Sequence, residues 1–384
     1  MSKPELVEAI RDEIHGSGPI PFARFMAHAL YHPQYGYYTA VDAGERIGRA
    51  GDYYTSSGVH PIFGALIAKQ LLQMASHLAL TAGAPLTVVE VGAGKGALCQ
   101  DILRGIQQVS PTDFQRLCYV IVEKSPWMRA RQEERLAGPL GDRVRWDDRI
   151  PDGLVGVILS NELMDAFPVH RLRVGRGSLE EMWVDWKAGH FCGIWAAPSS
   201  PALAQWVHGI GPWDTPVEIE ANLLASDFLR AAAGALSQGF VVTIDYGHPA
   251  EALYGPWRPR GTFLCYFKHT ANENPFERVG EQDMTAHVNF TALMRAGDEA
   301  GLSCLGLTDQ TRFLMGLGIT EAMERSAARM DASEAARREF LAMKHLMAPR
   351  EMGGTFKVLI QGKGVPANLA LDGLRFRPLA AGAI

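Results

Sequence analysis

The chain is poor in the features that mark special classes of protein. It has five cysteines in 384 residues: Cys99, Cys118, Cys192, Cys265 and Cys304. Their number is odd and no two form a C-x-x-C, which speaks against a disulfide framework and a thiolate zinc site. A reducing compartment, the cytoplasm, is therefore expected. No stretch approaches the roughly 18 uninterrupted apolar residues of a membrane span. The start, Met-Ser-Lys-Pro-Glu-Leu-Val-Glu, lacks the apolar run of a secretory signal. Neither sign of charge dominates. Lys and Arg number 37 against 42 Asp and Glu, a net −5, so a broadly basic surface for nucleic acid or anionic membrane is not expected. No metal ligand set, internal repeat or phosphate-binding G-x-x-x-x-G-K-[ST] is found. What remains is an ordinary soluble composition, 47% hydrophobic and 21% charged, in a chain long enough to bury a large core.

Periodicity then supplies the elements. Amphipathic helices are expected at 4–15 and 21–30, followed by a Gly-, Ser- and Tyr-rich loop at 44–60 and a helix at about 61–79. Beyond it the pattern changes. Leu86–Val91, Cys118–Glu123, Val155–Ser160 and Phe240–Asp245 read as buried parallel strands, with Val144–Trp146 as a further short strand. Helices at about 96–108, 126–136 and 222–237 alternate with them, which predicts right-handed βαβ units and one parallel sheet. Val169–Val174, Glu181–Trp186 and Phe191–Trp195 alternate apolar and polar residues and predict an inserted antiparallel meander. An irregular stretch is expected at 246–288, then a helix at 290–300, a strand at 302–308, helices across 310–347 and a last strand, Phe356–Gln361. The expected domain organisation has an N-terminal helical segment and loop at 1–80. A core is formed by 81–168 and 222–363, with a helical insertion at about 310–348. Inserted strands occupy 169–221, and a loose tail 364–384.

Glu90-Val91-Gly92-Ala93-Gly94-Lys95-Gly96 stands between the first strand and a helix. Glycines there let the backbone turn tightly and approach a ligand, and the helix N-terminus offers free N–H groups and partial positive charge. Two ligands compete for such a turn. Gly92, Gly94 and Ala97 satisfy the dinucleotide pattern. Glu90, Gly92, Gly94 and Gly96 match the acid and G-x-G-x-G of S-adenosylmethionine sites, where the turn cradles a carboxylate and Glu90 helps hold the cationic end. Glu123, at the end of the second strand, suits a ribose, because a carboxylate takes both hydroxyl donors. Both cofactor classes use that device.

Ligands in open parallel sheets bind outside the carboxyl ends of the strands. Asn161 and Glu162 end the fourth strand and should face the reacting centre. Asp165 could N-cap the following segment. Asp245, with Tyr246 and His248, ends the fifth strand. His287 lies in Asp283-Met284-Thr285-Ala286-His287-Val288. Asp245, His248 and His287 are candidates for orienting or deprotonating a substrate, and Glu162 with Asp165 or Asp245 could grip a guanidinium.

Taken together, these residues resemble the MidA family. The resemblance spans roughly 18–363. It rests on Tyr35-Gly36-Tyr37-Tyr38, Gly51-Asp52-Tyr53-Tyr54-Thr55-Ser56, Phe63-Gly64, the Glu90–Gly96 turn, Asn161-Glu162 with Asp165–Val169, Ile244–Gly247, and Asp283 with Thr285–Val288. Pro349, Met352, Gly353, Phe356 and Lys357 close it. It implies an α/β class I methyltransferase (Rossmann-like) fold: a seven-stranded sheet of order 3-2-1-4-5-7-6 with an antiparallel last strand and helices on both faces. N-terminal helices and an inserted β-meander and helical cap are added to it. It also implies S-adenosyl-L-methionine as cofactor, with Ala93 and Thr55 joining the residues that bind it. A protein arginine, in the family a respiratory complex I subunit, becomes the leading methyl acceptor, and a homodimer is compatible. The alternatives are a small-molecule acceptor and a non-catalytic docking factor.

Overall fold

A computed structural model describes residues 2–40, 60–78, 84–175, 177–211, 213, 215–349 and 352–376. The chain forms two compact units. One comprises 55–163, 229–246 and 296–384, the other 1–54, 164–228 and 247–295.

The first unit is built on a sheet whose strands we number β1 Leu86–Val91, β2 Leu117–Val122, β3 Val144–Asp147, β4 Leu154–Asn161, β5 Leu236–His248, β6 Ser303–Asp309 and β7 Phe356–Lys363. Their spatial order is β6-β7-β5-β4-β1-β2-β3. The five strands β1 to β5 run parallel, whereas β7 lies antiparallel between β5 and β6. The central strands are nearly continuous runs of Val, Ile and Leu because both faces are covered. Register aligns their carboxyl ends: Val91 pairs with Ser160 and Val122, Val122 with Asp147, and Asn161 with Ile244. Glu90, Glu123, Asn161 and Asp245 therefore share one edge of the sheet.

Helices α1 Ile62–Ala75 and α2 Ala97–Val109 pack on each other and on the sheet through Phe63, Leu66, Ile67, Leu98, Ile102 and Ile106. Glycines bring them close. A Cβ on Gly64 would fall 2.5 Å from the Asp101 Cβ, and one on Gly105 would fall 2.8 Å from the Ala68 Cβ. The helices of 310–347 join the same core through Phe313, Leu314, Ile319, Met343 and Leu346. A short helix at Pro111–Arg116, not anticipated above, starts at Ser110, whose Oγ accepts from Asp113 N.

The second unit holds the meander. Strands His170–Gly175, Ser178–Lys187 and His190–Ala196 are antiparallel, with Val217–Ala221 and the two residues Ile20–Pro21 added. The N-terminal helices Pro4–Ser17 and Phe22–Tyr31 bury Leu6, Ile10, Phe25 and Met26 in a core shared with Val184 and Phe191. The expectation of an irregular 246–288 is corrected. Leu264–Phe267 pairs with Thr270–Asn272 and with Asp283–Thr285, and Gly247-His248 pairs with Val288-Asn289. These are short, partly long-range pairings, which local periodicity does not signal.

Candidate active site

The glycine turn behaves as its composition demands. Gly92, Gly94 and Gly96 have φ of +75°, +51° and +75°, the left-handed region that L side chains adopt only at a cost. Gly96 N donates to Ala93 O at 2.8 Å, and α2 begins directly after Gly96 with no side chain capping its first N–H groups. The turn thus ends in backbone donors, a natural seat for a carboxylate.

Glu90 is buried, and its Oε2 accepts from the Tyr119 hydroxyl at 2.8 Å. Burial pushes its carboxyl up to about 7, against the lowering effect of that hydrogen bond. Glu123 accepts from Ser125 N at 2.8 Å and from Gln132 Nε2 at 3.1 Å, and burial likewise raises it. Gln132 escaped the sequence reading. It sits on the helix Pro126–Arg135, whose other side chains are largely exposed and charged, yet it is fully buried. Its Nε2 also donates to Gly94 O at 2.7 Å, and its Oε1 accepts from Trp146 Nε1 at 2.9 Å. One amide therefore ties the ribose-type carboxylate to the glycine turn and to β3. A buried Gln at a helix face was visible only as a polar residue among polar residues, so no periodic signal marked it.

At the end of β4, Asn161 Nδ2 donates to Glu162 Oε1 at 3.1 Å. Asn161 Oδ1 is buried and has no donor among the described residues. A buried acceptor left open in this way asks for a ligand donor. Glu162 has φ +52° and gives its N–H to Ile244 O at 2.9 Å. Such a backbone strains a residue with a Cβ by about 1–3 kcal/mol and concentrates at functional sites. Asp245 is buried, and its oxygens accept from Leu163 N at 3.2 Å and Tyr246 N at 2.9 Å. It holds the exit of β4 in place.

The remaining candidates belong to the second unit or fall outside the described residues. His248 and His287 belong to the second unit, their ring centroids 6.0 Å apart, and His287 N donates to Thr262 Oγ1 at 3.0 Å. Asp165 caps no helix, since a turn follows it; its carbonyl accepts from Ala286 N at 3.0 Å. Thr55 lies outside the described residues. Among the described residues no three His, Cys, Asp or Glu are placed to hold a metal, and no helix is long and apolar enough to cross a membrane.

The glycine turn, a buried acid before it, a carboxylate at the end of β2 and an open acceptor at the end of β4 fit the amino-acid and ribose ends of S-adenosylmethionine. With the strand order 3-2-1-4-5-7-6, they define a class I S-adenosylmethionine-dependent methyltransferase. The model of a family of S-adenosyl-L-methionine-dependent methyltransferases matches residues 66–308, and the chain belongs to that MidA-like family. It is similar to a crystal structure from Burkholderia thailandensis bound to S-adenosyl-homocysteine, at 31% identity and a TM-score of 0.86, covering 99% of this chain and 98% of that one. It is also 27% identical to the mitochondrial protein arginine methyltransferase NDUFAF7 homolog of Drosophila melanogaster, over 94% of this chain and 86% of the relative. Against human mitochondrial NDUFAF7, also named a protein arginine methyltransferase, the identity is 25% over 90% and 80%. The cytoplasmic expectation is corrected by these relatives, which are named as mitochondrial. Free cysteines and the lack of an apolar span carry no address within the cell.

Proposed function

We propose that this enzyme transfers the methyl group of S-adenosylmethionine to an arginine of a protein. The observation that carries the site assignment is the end of β4. Asn161 presents a buried, open acceptor beside a Glu162 held in a strained backbone. In this reading Asn161 Oδ1 and Glu90 receive the ammonium of the cofactor, the Gly92–Gly96 turn receives its carboxylate, and Glu123 receives its ribose. The cofactor supplies an electrophilic methyl group on a cationic sulfur. Glu162 holds the acceptor guanidinium by charge-assisted hydrogen bonds and takes the proton that the attacking nitrogen releases. Asp245 is a positioning residue, because it fixes Leu163 and so the direction of Glu162. The relatives named protein arginine methyltransferases support arginine as the acceptor.

Titration of the purified protein with S-adenosylmethionine, S-adenosylhomocysteine and NADH tests the cofactor, repeated on Gly94→Val. The two sulfur nucleosides bind, NADH does not, and Gly94→Val abolishes binding. Incubation of cell extract with labelled cofactor then yields methylarginine with the wild type and none with Glu162→Gln. Label appearing only in small molecules would remove the protein acceptor.

A further inference from the structure

The unit formed by 1–54, 164–228 and 247–295 contains a cleft of about 400 Å³, within the roughly 300–1,000 Å³ range of ligand sites. Its lining includes Arg171, Arg258 and Arg260, together with Glu218, Glu273 and His287. Two of the guanidinium groups are only partly satisfied. Arg171 donates to Glu218 at 3.3 Å and lies 5.1 Å from the Phe263 ring centroid, yet its Nε is buried with no acceptor among the described residues. Arg258 is half-buried. Its Nη1 serves the carbonyls of Ala252 and Leu253, and no carboxylate among the described residues pairs with it. By contrast, Glu218 is shared by Arg171 and Arg173, and Arg260 pairs with Glu273 at 3.0 Å on the exposed rim.

The wall behind these groups is rigid. Glu220 is buried there, and its oxygens accept from Thr262 N at 3.0 Å, Thr262 Oγ1 at 2.9 Å and Phe263 N at 3.1 Å. Gly261, at φ +74°, passes so close that a Cβ would stand 2.2 Å from Glu220 Oε1. Glu220 is thereby committed to this loop.

We propose that this cleft binds a single carboxylate group, seated between Arg258 and Arg171 Nε. The planar guanidinium fork receives an oxyanion in two parallel hydrogen bonds, and the charge of the lining favours a carboxylate over a phosphate. With Glu218 and Glu273 in the lining and Glu220 buried against it, the three arginines leave little positive charge in excess, which suits a monoanion better than a dianion. The carboxylate could belong to an acidic side chain of a bound polypeptide or to a free small acid.

The test is calorimetric titration of the full-length protein with three probes: the blocked peptide acetyl-Ala-Glu-Ala-amide, glutarate, and inorganic phosphate. The peptide and glutarate bind, phosphate binds more weakly, and the tighter of the first two identifies the source of the carboxylate. Arg258→Gln, which removes the guanidinium, weakens carboxylate binding by about tenfold. Glu273→Gln, which frees the exposed Arg260, tightens it by about two- to threefold. Circular dichroism and the thermal midpoint establish that each variant is folded, and Glu273→Gln keeps the test valid should Arg258→Gln not fold. No binding of either carboxylate at millimolar concentration, tighter binding of phosphate, or an affinity unmoved in both folded variants overturns the proposal.

Discussion

Glu90 shows how a single residue can be placed against stability. A carboxyl normally near 4.5 is raised to about 7 by burial. Below about 4.5 the group is protonated in both the folded and unfolded chains and adds no pH dependence. As the pH rises from about 4.5 through about 7, the unfolded chain releases the proton first, and stability is lost. The shift amounts to about 3 kcal/mol at pH 8, and the unmet amide protons of a glutamine would return part of that. Glu90→Gln is therefore expected to stabilise the ligand-free protein by about 1–2 kcal/mol at pH 8 and to bring no such gain at pH 5. Thermal melts at the two pH values check this; an equal gain at both would remove the buried-carboxylate explanation. The same variant should bind S-adenosylhomocysteine more weakly, since a cationic ammonium favours the ionised carboxylate that Gln cannot provide. Stability is sacrificed to the site, a familiar trade where function needs a strained or desolvated group.

Between elements, the contact of α1 and α2 rests on two small residues. Gly105 faces Ala68 and Ala65, with a virtual Cβ 2.8 Å from the Ala68 Cβ and 2.9 Å from the Ala65 Cα. Replacing it by alanine has two opposing effects. Helix propensity improves by about 1 kcal/mol, while overpacking costs about 1–3 kcal/mol. Backbone atoms of α1 stand in the way, so the helices must part, and the overpacking effect wins. Gly105→Ala is expected to lower stability by about 1 kcal/mol or more, read from chemical denaturation, whereas Gly234→Ala, with nothing within 4 Å of its Cβ, is expected to be neutral or stabilising. If Gly105→Ala were the more stable of the two, close helix packing would not be what this glycine is for. Gly64 makes the same approach from the other side. The sequence displayed both glycines inside helical patterns, where glycine is intrinsically unfavourable, but not the neighbours that require them.

For the whole molecule, a ligand that binds only the folded state stabilises it by mass action. S-adenosylhomocysteine at about 100 times its dissociation constant should add about 2.7 kcal/mol and raise the thermal midpoint by several degrees, while NADH at the same concentration should not. An equal shift with NADH would return the glycine turn to the dinucleotide class that Gly92, Gly94 and Ala97 also satisfy. Much of the architecture behind this expectation was legible in advance. Leu86–Val91 and Val155–Ser160 read as strands because buried parallel strands are nearly continuous apolar runs rich in β-branched residues, and the structure places strands there. The 246–288 stretch was not legible. Its short strands are held by partners such as Asp283–Thr285 with Leu264–Tyr266, which no local window contains.

What the sequence alone determined is the chemistry attached to covalent order. Three glycines after a strand let the backbone turn tightly, an acid two residues ahead falls on that strand, and Asn161-Glu162 ends another. Those properties follow from backbone geometry and strand–helix alternation, which are local. Only the tertiary structure decided what each polar group faces. It buried Gln132 and made it the link between Glu123 and Gly94, left Asn161 Oδ1 without a donor among the described residues, and turned both oxygens of Asp245 onto backbone N–H groups. It also set Arg171 and Arg258 around one cleft. Burial and hydrogen-bond satisfaction depend on residues distant in the chain, so they have no counterpart in any stretch of sequence.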